Sequence, residues 1–253
     1  MTVISRAVEL HFHALPGLDD GPATLEESVE LVRRAAAQGT ETVVATPHVR
    51  TDFVTDVLGL AGHVEELRAA LRAEGVGVEL RRGGELGHDM VGRLSQCELE
   101  SIAQGPPGAR WLLVEAPFDG IGEEFHAATG ELRDRGFGVL VAHPERSADA
   151  SLYASAGLRT ELEAGSLAQV NAQSVTGHHG PAAQEAAFTL IGQGMVSVIS
   201  SDAHGATRAP LLGEARAHLV EHGVDPLLCR GLTGGGPRRL LARGIDRAAV
   251  LAA

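Results

Sequence analysis

His11 and His13, in the alternating stretch Val8-Glu9-Leu10-His11-Phe12-His13, are the residues whose types and spacing most plainly allow chemistry. In an extended strand alternate side chains share a face, so both imidazoles point one way while Leu10 and Phe12 point the other. Pro16 and Gly17 break the strand, and Asp19-Asp20-Gly21 turns two carboxylates back beside its end. Neutral imidazoles and carboxylates together suit Zn, Mn, Fe or Co better than Ca or Mg. A single HxH pair also occurs on ordinary surface strands, so its meaning depends on the rest of the chain.

Other strand-like runs end in the same kinds of residue. Thr42 to Thr46 is followed by Pro47-His48, and Val76 to Arg82 by Gly83-Gly84-Glu85. Leu112 to Glu115 ends in a carboxylate, Gly138 to Ala142 runs into His143-Pro144-Glu145-Arg146, and Met195 to Ser200 into Ser201-Asp202-Ala203-His204. Charged residues scattered at random would not collect at strand ends. Apolar strands separated by helical stretches imply a parallel sheet, where ligands gather at the carboxyl ends of the strands.

The elements that must position these residues follow from periodicity. Thr24, with Glu27 three residues on, forms a capping box, so a helix is expected from about Leu25 to Gln38, with Gly39 as its stop. Further helices are expected over about Val57 to Glu74, Met90 to Ala103, Glu123 to Arg135, Ala154 to Ala164, Pro181 to Gln193 and Leu211 to Glu221. Leu167 to Val170 reads as another strand, ending in Asn171, with Gln173, Ser174 and Thr176 beyond it. These polar residues would contact substrate, orient ligands or cap the turn. Arg50 is either a contact for an anion or a solvated arginine. His178 and His179 read as a loop, and His63 and His88 as surface or core histidines. The run Gly234-Gly235-Gly236-Pro237 lacks the Lys-Ser/Thr of a nucleotide loop and is expected to end the fold, with Leu240 and Leu241 packed on it.

At 253 residues the chain fits one α/β barrel of about 250 residues, and a single domain over residues 1–253 is expected. With 44% hydrophobic residues it has material for a sizeable core. A net charge of −12 argues against nucleic acid or an anionic membrane as partner. Cys97 and Cys229 have no ligand spacing and are expected to be reduced thiols. No stretch reads as a signal peptide or a membrane span, so a cytoplasmic location is expected, and an oligomer is left open.

Taken in order, HFHALPGLDDG, ATPH, GGE, LLVEAPF, VAHPER, QVNAQSVTGHHG and SSDAHGATR span residues 11 to 208. The set resembles the PHP (polymerase and histidinol phosphatase) superfamily of metal-dependent phosphoesterases, and within it the bacterial tyrosine-protein phosphatases of capsule and exopolysaccharide loci. The resemblance implies an α/β fold, a distorted (β/α)7 TIM-like barrel, holding three divalent metal ions, Mn in first place with Fe or Zn as alternatives. Carried over by motif, His11, His13, Glu85 and Asp202 would hold one ion. Glu85 would bridge to a second with Glu115 and His143, and Asp20, His48 and His204 would hold a third. Asp19 would support them or shape the turn. Arg146 and Arg208 would clamp the phosphoryl group, and substituting either is expected to lower turnover with metal retained. The implied substrate is a phosphotyrosine-containing protein, a tyrosine kinase. The alternatives are a small metabolite, such as histidinol phosphate or a nucleotide phosphate, with specificity in the loops after His48 and around Tyr153, and a non-catalytic metal-binding scaffold. Ser147 stands after HPER where a tyrosine is common in the family.

Overall fold

The structure is a computed structural model that describes residues 6–148 and 156–245. Strands and helices alternate: β1 (Ala7–Glu9), α1 (Leu25–Ala37), β2 (Thr40–Ala45), β3 (His48–Val49), α2 (Leu60–Ala73), β4 (Glu79–Arg82), β5 (Glu85–Leu86), α3 (Gln96–Ile102), β6 (Trp111–Glu115), α4 (Glu123–Asp134) and β7 (Gly138–Ala142). They continue with α5 (Ala156–Glu163), β8 (Leu167–Asn171), α6 (Ala172–Val175), α7 (Pro181–Gly192), β9 (Val198–Ser200), α8 (Leu212–Glu221), α9 (Pro226–Arg230) and α10 (Gly236–Arg243). All strand pairs are parallel, in two sheets of order β1-β2-β4 and β3-β5-β6-β7-β8-β9. The start of the helix expected from Ala154, and Tyr153, lie outside the described residues.

Among the described residues the ladders form these two sheets and no closed barrel. β2 and β3 are consecutive pieces divided at Thr46-Pro47, where proline has no N–H to give a ladder. β4 and β5 are divided at Gly83-Gly84, and a Cβ on Gly83 would lie 2.6 Å from Val44 Cγ1. The stretch expected as one strand from Val8 to His13 pairs as a ladder only to Glu9. Beyond it, Asp202 N–H donates to His11 O at 3.0 Å, His13 N–H to Ala203 O at 2.9 Å, and Thr46 N–H to Phe12 O at 2.9 Å. The His11–His13 segment is therefore held between the ends of β2 and β9. Leu10 and Phe12 do not share surroundings as strict alternation requires: Leu10 packs with Val8, Val44, Trp111, Leu113, Leu140 and Val198, and Phe12 with the larger core under the helices.

That smaller apolar cluster shows how the sheets build the site. Trp111 and Leu113 belong to it, and Glu115 follows two residues on; Leu167 packs on it, and Gln169 and Asn171 follow. With side chains alternating, one face of each strand is apolar at its start and polar at its carboxyl end. Charged groups are thereby set over a dry floor.

Helix boundaries moved where local hydrogen bonds overrode periodicity. Asp56 Oδ1 accepts from Leu58 and Gly59 N–H, both at 3.2 Å, so α2 begins at Leu60, after the expected Val57. The single helix expected over Met90 to Ala103 is a 3₁₀ turn, His88–Arg93, followed by α3, because Ser95 and Glu98 form a capping box that starts a new helix. At α1, Thr24 Oγ1 accepts from Glu27 N–H at 3.3 Å, but Glu27 Oε2 accepts from Ala23 N–H at 2.8 Å, one residue beyond a reciprocal box. The glycine run near the end is helical: residues Gly231–Gly235 form a π turn leading into α10. A Cβ on Gly234 would lie 2.7 Å from Arg6 O, and one on Gly236 2.9 Å from Ser197 O, so small residues let this helix pass under β1 and β9.

Trp111 Nε1–H donates to Leu240 O at 3.0 Å, joining α10 to the floor. Trp111→Phe is expected to lower unfolding free energy by about 1–3 kcal/mol, because it removes the side-chain hydrogen bond to Leu240 O, which keeps only that from Gly244 N–H, and leaves a void in the floor. A lower urea midpoint with unchanged slope would show it.

Candidate metal centre

Nine side chains, at or beyond the carboxyl ends of the strands and in the turn that carries Asp20, form four overlapping groups, and all the sequence candidates for metal ligation are among them. Glu85 lies at the centre, fully buried. Its Oε1 is 3.2 Å from His11 Nε2 and 2.9 Å from His143 Nε2, while its Oε2 is 3.3 Å from His13 Nε2 and 2.8 Å from His48 Nδ1. Asp202 Oδ1 faces His11 Nε2 at 3.2 Å and His13 Nε2 at 3.3 Å. On the other side Asp20 Oδ1 is 3.1 Å from His204 Nε2 and 3.4 Å from His48 Nε2. Glu115 groups with His48 and Glu85, its Oε2 3.9 Å from His48 Nδ1, whereas His143 groups with His11 and Asp202.

The hydrogen bonds around the cluster fix which nitrogens are bare. Asp202 Oδ2 accepts from Asn171 Nδ2–H at 2.7 Å, Asn171 Oδ1 accepts from Gln169 Nε2–H at 2.8 Å, and Gln169 Oε1 is 2.9 Å from His11 Nδ1. A carboxylate only accepts, so each amide in the relay has one orientation, and His11 carries its neutral-form proton on Nδ1. Asp19 Oδ2 accepts from His13 Nδ1–H at 2.7 Å, and Asp202 O from His204 Nδ1–H at 2.9 Å. In the neutral rings of His11, His13 and His204, Nε2 is therefore a lone pair facing carboxylate oxygens. Glu85 Oε2, Asp202 Oδ1, His48 Nδ1, His143 Nδ1 and His204 Nε2 are buried without a hydrogen-bond partner. Lone pairs facing lone pairs in a buried site need cations between them, and this donor set fits first-row divalent ions.

The electrostatics show the same need. Burial pushes His11 and His13 down, yet the carboxylates around them prevail and raise both, His13 the more. Burial pushes Glu85 and Asp202 up, but the imidazoles, together with Arg208 beside Asp202, hold both well below the carboxylate range. Without a cation the rings keep protons to higher pH than free imidazole, and each proton occupies a lone pair that a metal would use. Metal affinity is expected to rise with pH from the ordinary imidazole range upward, with proton release on binding. The raised histidines stabilise the metal-free fold at low pH, and that contribution is lost as pH rises through their folded-state values. Metal titrations between pH 6 and 9, with thermal melts of metal-free protein, measure both trends.

His143 and Asp202 are the non-glycine residues with positive φ among those described, at 36° and 52°. Such strain costs about 1–3 kcal/mol per residue and gathers at functional sites. Buried Glu9 clamps the neighbour of Asp202, accepting from Ser201 N–H and Oγ–H, and its own pKa is pushed up to about 7 by burial.

Both arginines are present at the cluster. Arg208 Nη2 donates to Asp202 Oδ2 at 2.8 Å and Nη1 to Asp20 Oδ2 at 3.2 Å; Arg146 Nη1 reaches Asp202 Oδ2 at 3.4 Å. Asp202 thus faces imidazoles with one oxygen and guanidinium groups with the other. Asp19 accepts from His48 and Gly21 N–H besides His13. His63 and His88 lie outside the cluster. Sequence reasoning missed Gln169, whose signal was its position two residues before Asn171 on one strand face. It left Arg50 open, and Arg50 Nη1 donates to Glu115 Oε2 at 3.2 Å. The sequence marks His179 only as loop and gives no signal for Phe118, but His179 lies beside Arg146 and Phe118 stacks on His143.

The family described as capsular polysaccharide synthesis, CpsB/CapC, matches residues 7–240. Tyrosine-protein phosphatase YwqE of Bacillus subtilis (strain 168) is 27% identical over 204 residues, covering 78% of this chain and 77% of its own. Tyrosine-protein phosphatase CpsB of Streptococcus pneumoniae is 24% identical over 242 residues, covering 92% and 98%. A crystal structure from work on YwqE and CpsB, described as unique metal-dependent tyrosine phosphatases, superposes with a TM-score of 0.79 at 25% identity, covering 92% of this chain and 93% of that one. A phosphotriesterase homology protein from Escherichia coli, solved with phosphate in its active site, matches with a TM-score of 0.64 at 12% identity and shows the fold alone.

Proposed function

The chain belongs to the CpsB/CapC family of capsular polysaccharide synthesis, and on that footing we propose that it is a metal-dependent protein-tyrosine phosphatase of PHP type. In this reading its substrate is an autophosphorylated cytoplasmic tyrosine kinase that controls polysaccharide synthesis. The observation that carries the proposal is the placement of Glu85, whose two oxygens lie within 3.3 Å of nitrogens from four imidazoles. The strands are read as seven staves of an opened barrel, with β2–β3 and β4–β5 each one interrupted stave. No helix among the described residues is long and apolar enough to cross a membrane.

In the assignment we favour, His11, His13, Glu85 and Asp202 would hold one ion, Glu85, Glu115 and His143 a second, and Asp20, His48 and His204 a third, with Mn preferred over Fe or Zn. Bound ions of this kind lower the pKa of water and offset the charge of a transferring phosphoryl group. Arg146 and Arg208 present planar forks on one side of the cluster, suited to two phosphoryl oxygens at once. Asn171 and Gln169 hold Asp202 and His11 at fixed angles, so geometry is set before substrate arrives. A tyrosine leaving group, with a pKa of about 10, departs without a strong general acid.

Phosphate release from a phosphotyrosyl peptide, measured beside a panel of phosphorylated metabolites, tests the proposal. Peptide turnover that vanishes on chelation and returns with Mn is the expected result. Turnover confined to one metabolite would reassign the substrate, and no hydrolysis by fully metallated protein would leave a binding scaffold.

A further inference from the structure

Three of the chain's six phenylalanines, Phe12, Phe125 and Phe137, are fully buried. Two are exposed, Phe53 and Phe118, and both stack on histidines of the metal centre. Phe118 is 49% exposed, nearly parallel to the His143 ring at 8° with centroids 6.0 Å apart, and the Arg146 guanidinium carbon lies 4.8 Å above its ring. Beside these two contacts 49% of the Phe118 surface stays exposed, so the ring keeps aromatic area against which a ligand can stack.

Phe118 borders a cavity of ≈ 390 Å³, within the size range of small-molecule sites, with Arg146, His179, Ala182 and Ala183 on its other sides. Its walls are fixed. Ala148 N–H donates to Phe118 O at 2.8 Å and Ser147 Oγ–H to Pro117 O at 2.6 Å, so the loops carrying Phe118 and Arg146 are tied together. Glu145 Oε1 accepts from Asn171 N–H at 2.9 Å and Ser174 Oγ–H at 2.7 Å, leaving Ser174 Oγ to accept from His179 Nδ1–H at 2.9 Å. Burial, reinforced by Arg146, pushes His179 down to about 4, so its ring is uncharged near neutrality. The cavity therefore joins a phenyl face, a neutral imidazole and two alanines to a guanidinium at the edge of the metal centre.

Resting on the phosphatase reading above, we propose that this cavity is the subsite for the aryl group of an aryl phosphomonoester. Phe118 is its stacking face, and Arg146 is placed where ring and phosphoryl group meet. Selectivity for aryl over alkyl phosphates then resides in Phe118 and in the small side chains of Ala182 and Ala183. Filling the cavity from α7 with Ala183→Leu would exclude a phenyl ring.

The test compares phenyl phosphate with glycerol phosphate as substrates, and phenylphosphonate with methylphosphonate as ligands by calorimetry, using metallated wild type, Phe118→Leu, Ala183→Leu and Phe53→Leu. Phe118→Leu and Ala183→Leu are each expected to lower the aryl-to-alkyl ratio of kcat/KM about tenfold, mainly through KM, and the ratio of phosphonate affinities equally. An equal loss on both ester classes would overturn the proposal, leaving Phe118 as a prop for Arg146. A larger ratio change in Phe53→Leu would also overturn it and move the aryl site beside His48. If wild type hydrolyses no phosphomonoester, the phosphatase reading fails first; if it hydrolyses aryl esters and the variants keep its ratio, only the subsite fails.

Discussion

Replacing Glu85 by glutamine is expected to cost about 10³-fold or more in kcat/KM and to deplete bound metal. The substitution barely changes shape, so the loss would be electrostatic. Among the described residues Glu85 is the one carboxylate shared by His11, His13, His48 and His143, and an amide brings N–H groups toward nitrogens whose lone pairs face inward. Several kcal/mol of charge stabilisation correspond to roughly three decades in rate. Metal content by mass spectrometry, taken on the samples used for kinetics, is the check. Full activity with full metal would remove Glu85 from the centre of the account.

The second large effect divides the two arginines. Arg146→Ala is expected to lower kcat by about 10²–10³-fold with metal retained, the scale seen when one stabilising donor is removed from a reacting oxyanion. Its contact with Asp202 is the longer one, and Asp202 Oδ2 keeps Asn171 and Arg208 without it. Arg208→Ala is expected to lower kcat similarly and to release metal as well, because Asp20 and Asp202 both lose a partner. The sequence treats the pair alike, each a few residues past a ligand; contact with two carboxylates sets Arg208 apart. Kinetics and metal analysis on both variants separate the outcomes, and equal metal retention would remove the distinction.

The site was legible because its residues follow strand ends, and strand ends are marked by short apolar runs stopped by proline or glycine. His48, Glu85, Glu115 and His143 stand beside such stops and Asp202 directly after an apolar run; the resemblance implied their ligand roles, and the structure gathers them with His11, His13, Asp20 and His204. Spacing could not show which donors neighbour which. Glu115 lies with His48, a nearness set by the interruption at Pro47 and by Arg50. Nor could it find Phe118, because an exposed aromatic after a strand looks the same whether or not an imidazole lies beneath it.

For the fold, alternation brought His11 and His13 together, as the structure does, but Leu10 and Phe12 part company, because the β1 ladder stops at Glu9 and the segment is held by the ends of β2 and β9 instead. Helix starts were missed where one side chain decided them, Asp56 before α2 and Ser95 before α3. The glycine run was expected to end the fold with Leu240 and Leu241 packed nearby, and both join the floor; that it does so as a helix close to the Arg6 and Ser197 carbonyls is a tertiary fact that composition does not carry.

The most direct measurement is anomalous diffraction at the manganese edge from crystals grown with Mn, since it shows ions and their ligands together. Peaks between His11, His13, Glu85 and Asp202, beside His143 and Glu115, and between Asp20, His48 and His204 are predicted. A fully ordered site with no anomalous peak among these nine side chains, at saturating Mn and neutral pH, would contradict the account.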